Sequence, residues 1–105
     1  MPLALGRRQE LFVTRFAQEG LTNAFKHGRA KHVKLGVRVV EDTLVMQLTD
    51  DGAGPSQIQE GFGLRSLRER AEELDGTFLA SVTDVGFTIQ ARLPLTSGWA
   101  GARVG

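Results

Sequence analysis

The stretch RFAQEGLTNAFKHGRAKHV, residues 15–33, decides how the rest of the chain is read. Leu11, Phe12, Phe16, Ala17, Leu21, Ala24 and Phe25 recur at helical spacing and run up to Gly28, where a helix stop is expected. After it, Val33, Leu35, Val37 and Val39 alternate with Lys34, Gly36, Arg38 and Val40, the period of a strand with one buried face. The spacing therefore predicts a helix over residues 8–27 followed by a strand.

Four polar groups on that helix share one side. At about 100° per residue, Glu19, Asn23, Lys26 and His27 fall within an arc of about 100°, while Ala17, Leu21, Ala24 and Phe25 lie between about 140° and 240°, on the side expected to meet a sheet. A solvated face is the ordinary reason for such a stripe. Asn is a poor helix former, however, and the stripe lacks the repeated i, i+4 charge pairs that support solvent-facing helices. An amide oxygen is a hard ligand suited to Mg²⁺, Lys and His suit phosphate oxygens, and a carboxylate one turn back can orient or deprotonate an attacking group. The stripe is chemically suited to a metal–triphosphate.

Outward from this stretch, Glu41-Asp42-Thr43 is expected to connect a hairpin, with Leu44, Met46 and Leu48 on the apolar face of the second strand. Asp50-Asp51-Gly52-Ala53-Gly54-Pro55 breaks that strand into a loop. Leu64, Leu67, Ala71 and Leu74 predict a second helix over residues 63–74, with Arg65, Arg68, Glu69, Arg70, Glu72 and Glu73 toward solvent and Asp75-Gly76 ending it. Strands are expected over 77–82 and 87–93, the last with Phe87, Ile89, Ala91 and Leu93 inward. The order helix, two strands, loop, helix, two strands implies an α+β two-layer sandwich, mostly antiparallel. Residues 1–95 make one domain and 96–105, rich in small residues, a flexible tail.

Composition narrows the classes. The 105 residues carry 24% charged and 41% apolar residues, ordinary for a soluble domain, and a net charge of +1 gives no reason to expect nucleic acid or a membrane surface as partner. The absence of cysteine removes disulfides, thiol catalysis and cysteine metal sites. No run approaches the roughly 20 apolar residues of a membrane span, and the N-terminal apolar run is too short for a signal peptide.

The glycine pairs in Asp50-Asp51-Gly52-Ala53-Gly54 and Gly61-Phe62-Gly63-Leu64 match neither a GxGxxG nor a Walker pattern. They frame Pro55-Ser56-Gln57-Ile58-Gln59-Glu60, which reads as a short lid hinged at both ends. Helix-start amides after the second pair suit a phosphate, and a strand-end carboxylate such as Asp50 can accept from an amino group.

Three ordered motifs now carry a resemblance. QEGLTNAFKH (18–27) resembles the asparagine box of sensor histidine kinases, DDGAG (50–54) their first glycine box and GFGLRSLRERA (61–71) their second. Over about residues 15–94 the chain resembles the ATP-binding domain of the GHKL superfamily, closest to kinases of the nitrate-responsive and envelope-stress type. The resemblance implies the GHKL (Bergerat) sandwich, a mostly antiparallel mixed sheet with helices on one face. It implies ATP and Mg²⁺ as cofactors, with Asn23 ligating the metal and Lys26 and His27 near the phosphates. Asp50 would accept the adenine amino group, and Gly52 would admit the ring. Gly54, Gly61 and Gly63 would frame the lid, with Leu64 beginning the helix whose amides face phosphate. Glu19 matches the position of a general base in related ATPases.

The family usually places a Gly-Thr pair at the start of the last strand; Gly86-Phe87 stands there, and Thr88 falls on the opposite face. Phe87 either adds core, the favoured reading, or narrows the adenine pocket. Losing one hydrogen bond weakens ATP binding by roughly 0.5–1.5 kcal/mol. Phe62 either covers the nucleotide or is a surface aromatic. His27 and His32 are the only histidines, and neither lies on a phosphoacceptor helix. The implied function is a protein histidine kinase catalytic domain that donates the γ-phosphate to a histidine on a dimerisation-phosphotransfer domain, with a response regulator downstream. Its place would be the cytoplasm, including the cytosolic part of a membrane-bound sensor. Two alternatives stand beside it: an anti-sigma-type serine kinase, against which the 63–70 helix argues, and a degenerate domain acting through protein contacts.

Overall fold

The computed structural model describes residues 5–27, 29–52, 62–84 and 86–95, leaving aside the side chains of His27 and Phe62. Gly28, Gly54, Gly61, the expected lid over 55–60 and the tail over 96–105 lie outside the described residues. Helix α1 (Arg7–Thr22) passes into a π-helical turn, Asn23–His27, and then come strands β1 (Val33–Val40) and β2 (Thr43–Asp50), helix α2 (Phe62–Glu73), and strands β3 (Thr77–Thr83) and β4 (Gly86–Pro94). The four strands form one sheet in the order β1-β2-β4-β3, every pairing antiparallel. Both helices lie on one face of it, against β2, β3 and β4.

Turn chemistry explains the joints. Glu41 and Asp42, with φ of 48° and 66°, make a two-residue hairpin turn whose twist suits antiparallel strands. Thr43 already belongs to β2 and pairs with Val40. Helix α2 ends in a Schellman arrangement: Asp75 sits at φ 63°, its N–H reaches Glu72 O, and the Gly76 N–H reaches Ala71 O at 2.7 Å.

Register determines the core. Leu44, Met46 and Leu48 of β2 align with Leu93, Ala91 and Ile89 of β4, and all six are buried against Leu64, Leu67 and Ala71 of α2 and Phe12 and Phe16 of α1. The expected inward rows of β2, α2 and β4 are all observed. Arg68 departs from its expected solvent position: its guanidinium donates to Phe78 O at 3.0 Å and stacks over the Phe78 ring, so its stem covers the end of the core.

The sheet-facing side of α1 differs from expectation. The buried row is Phe12, Phe16, Gly20 and Ala24, spaced four apart, while Leu21 and Phe25 are 40% and 53% exposed and Leu11 is also exposed. Gly20 is the reason. A Cβ there would stand 2.6 Å from Leu48 Cδ1 and 3.1 Å from Ile89 Cδ1, so only a bare Cα lets the helix settle onto the sheet along this row. The Phe16 ring then meets Phe78 edge-on at 6.5 Å.

Strand β1 also departs from expectation, because it has no buried face. Leu35, Val37 and Val39 sit on the helix side, opposite Leu48, Met46 and Leu44, yet are 45%, 49% and 53% exposed. Alternation identified their side of the sheet correctly; the two helices simply do not extend over this edge strand.

Candidate functional site

The described candidate residues lie on the end of α1 and the turn after it, the end of β2 and the start of α2, next to the beginnings of β1 and β4. Asp50, the last residue of β2, pairs with Val33 on one side and Phe87 on the other. It continues the row Leu44, Met46, Leu48 and so points to the helix face, only 4% exposed. A carboxylate in an apolar row is costly unless its oxygens are used. One oxygen accepts the Gly52 N–H at 2.8 Å in an Asx turn. Among the described residues, no donor meets the other.

Gly86 explains how the chain passes this point. With φ at 149°, it presses its Cα against the Asp50 carbonyl and the Asp51 Cα, and any Cβ would overlap that carbonyl. Phe87 is buried in the core beside Asp50, as favoured, while Thr88 lies on the reverse face, 3.3 Å from the Thr49 hydroxyl. The Thr88 hydroxyl is therefore turned away from Asp50.

On the other flank, the chain leaving the π-helical turn folds back through an Ala30 N–H to Ala24 O bond of 2.8 Å. It then meets the Asp51 carboxylate. Asp51 Oδ1 accepts the Lys31 and His32 N–H groups at 2.8 and 2.9 Å, and His32 Nδ1 donates to Oδ2 at 2.8 Å. The His32 main-chain bond first, then its ring, then the Lys31 N–H lower the Asp51 pKa to about 2. Sequence reasoning assigned no role to this pair; residues 32 and 51 are too far apart in sequence for local periodicity to join them.

The helix stripe is interrupted where its chemistry is expected. Helical register changes at Asn23, the first residue of the π-helical turn, so the 100° wheel fails for Lys26 and His27. Such turns are rare and concentrate at functional sites. Asn23 is half-buried and its side-chain amide has no partner among the described residues; Lys26 is exposed. Glu19, one turn earlier and half-buried, lies with its carboxylate directly against Gly63, so that a side chain at 63 would collide with it. Gly63 thereby lets the first turn of α2 stand beside the polar end of α1. Leu64 is buried in the core, so only its main chain is available to a ligand. A cavity of about 170 Å³ between Leu11 and Arg15 of α1 and Ser66 and Arg70 of α2 touches this site only at Gly63.

Among the described residues, no cluster of three His, Asp or Glu side chains is placed to hold a metal alone. An ion at Asn23 would need oxygens from elsewhere, and a polyphosphate supplies them. Asn23 alone, among the described residues, would hold an ion only together with such ligand oxygens.

A family model described as histidine kinase-, DNA gyrase B- and HSP90-like ATPase matches residues 8–97. The chain belongs to this family. It is 39% identical over 93 residues to the signal transduction histidine-protein kinase/phosphatase UhpB of Salmonella typhimurium, covering 87% of this chain and 18% of that protein. It is 36% identical over 84 residues to the sensor histidine kinase LnrJ of Bacillus subtilis, covering 79% of this chain and 21% of LnrJ. The chain thus spans only a minor part of the curated relatives it matches. Among solved structures, the ATP-binding domain of PrrB from Mycobacterium tuberculosis superposes with a TM-score of 0.69 at 22% identity, over 83% of this chain and 69% of that one. The histidine kinase domain of a blue-light-activated kinase from Erythrobacter litoralis gives the same TM-score and identity over 81% of this chain and 44% of that one. The family match spans nearly the whole described chain, which is thus an ATPase-family domain similar in sequence to one part of sensor histidine kinases.

Proposed function

We propose that this domain binds Mg-ATP at the end of the sandwich defined by Asp50 and Asn23, and presents the γ-phosphate to a histidine outside this chain. The observation that carries the reading is the Asp50 carboxylate, buried in an apolar row with one oxygen engaged by Gly52 and the other without a described donor. That oxygen suits the exocyclic amino group of adenine, and Gly52 beside it leaves room for the ring. Asn23 would hold a Mg²⁺ carried by the phosphates, which supplies charge neutralisation when bound. Lys26 and His27 would approach the phosphates, and Gly54, Gly61, Gly63 and Leu64 would frame them with main chain.

In the transfer, the imidazole nitrogen of the acceptor attacks Pγ. The bond from Pγ to the β,γ-bridging oxygen breaks, and ADP leaves. The protein's part in such transfers is positioning and electrostatics. Glu19, whose carboxylate lies against Gly63 at the start of α2, would orient the acceptor or take its proton. The acceptor would belong to a dimerisation-phosphotransfer domain, and a response regulator would receive the phosphoryl group next. Among the described residues, no helix is long and apolar enough to cross a membrane, and a cytosolic placement suits an ATP-dependent domain.

Calorimetric titration of the 105-residue chain with Mg-ATP or a non-hydrolysable analogue tests this reading. The wild type should bind, and Asp50→Asn should lose roughly ten- to a hundredfold, the worth of a hydrogen bond to a charged group. Absence of binding at millimolar nucleotide would overturn the reading.

A further inference from the structure

We infer that Asp51 is a positioning residue for base recognition: through His32 and Lys31 it clamps the exit of β2, and this clamp keeps the neighbouring Asp50 carboxylate aimed closely enough to tell adenine from guanine. The inference rests on the nucleotide reading above and assigns work to three residues outside that binding set.

The argument starts from what holds the end of β2. Asp50 pairs with Val33, the first residue of β1, so the β1 ladder stops where precise geometry is needed. On the β4 flank, Gly86 holds the backbone by close contact with the Asp50 carbonyl and the Asp51 Cα. On the β1 flank, the Asp51 N–H reaches His32 O at 3.2 Å, and the Asp51 carboxylate collects two consecutive main-chain N–H groups and an imidazole nitrogen. One side chain thus replaces the ladder beyond its last pair. It ties down the segment that begins at the Ala24–Ala30 turn, directly after Asn23.

Base selectivity needs more than affinity. Adenine offers a donor and guanine an acceptor at the same ring position. A carboxylate fixed in direction accepts from the first and repels the second, whereas one free to turn away rejects guanine less. Removing Asp51 leaves the Asp50 carboxylate chemically intact and releases the backbone that directs it. The loss should therefore appear in discrimination as well as in strength.

The test measures Mg-ADP and Mg-GDP affinity by calorimetry for the wild-type chain, Asp51→Ala, Asp51→Asn and His32→Ala. Asp51→Ala should weaken Mg-ADP by roughly three- to tenfold and cut the ADP-over-GDP preference by about threefold or more. Asp51→Asn, whose amide oxygen can accept the same two main-chain N–H groups, should restore most of the preference. If Asp51→Ala weakens both nucleotides equally, or neither, the inference is overturned and Asp51 is merely structural. Should Asp51→Ala fail to fold by circular dichroism, the exposed His32→Ala decides: a roughly twofold drop in preference supports the clamp, and an unchanged preference overturns it. A wild-type chain that binds neither nucleotide overturns the nucleotide reading itself, and this inference with it.

Discussion

Asp51 and Gly86 hold the same few atoms of β2 from opposite flanks, one by hydrogen bonds and the other by having no side chain. Each gives a measurable expectation. The Asp51 carboxyl, at about 2 in the folded chain against an ordinary 3.8, binds fewer protons folded than unfolded between those values. Its stabilisation is therefore complete above about pH 4 and is lost as pH falls toward 2. Urea titrations at pH 6 and pH 3 should show wild type more stable than Asp51→Asn at the higher pH and the gap narrowing at the lower. At Gly86, alanine must adopt φ near 149° and intrude on the Asp50 carbonyl. Gly86→Ala should cost at least about 2 kcal/mol in urea unfolding, with nucleotide affinity falling because Asp50 shifts.

At the scale of elements, the instructive cases are α1 and β1. On a wheel drawn over residues 17–25 alone, Leu21 and Phe25 look like the buried side. Phe12, Phe16 and the bare Gly20 outweigh them, because helix packing is decided by how closely a row can approach its partner. The change to a π-helical turn at Asn23 is equally invisible to periodicity, since it alters hydrogen-bond spacing without altering composition. For β1, alternation identified the correct side of the sheet, and coverage depends on where the helices run. Leu35, Val37 and Val39 consequently form an exposed apolar strip on an edge strand, a setting that favours association. Val37→Lys should reduce binding of a hydrophobic dye and raise solubility, while unfolding free energy stays within about 0.5 kcal/mol and Mg-ADP affinity is unchanged.

Across the whole molecule, the antiparallel register brings the β1 start, β2 end and β4 start to one end of the sheet, and Gly63 sets the start of α2 against Glu19 of α1. Asn23 would help hold, through its amide oxygen, a Mg²⁺ brought by the nucleotide. Asn23→Ala should weaken Mg-ADP by at least roughly tenfold while leaving ADP in EDTA nearly unaffected. Equal losses in both conditions would point to misfolding instead.

The sequence alone determined the elements, their order, the inward rows of β2, α2 and β4, and the identities of Asn23, Asp50 and Gly63 as candidates. These are local or periodic properties, written in neighbouring residues and in the spacing of three short motifs. Only the tertiary structure decided which side of α1 faces the sheet, that β1 is left uncovered, and that Asp51 grips His32 while Gly86 abuts Asp50. Those outcomes depend on contacts between distant parts of the chain, whose strength depends on close approach and direction. Neither quantity exists until the sheet has formed.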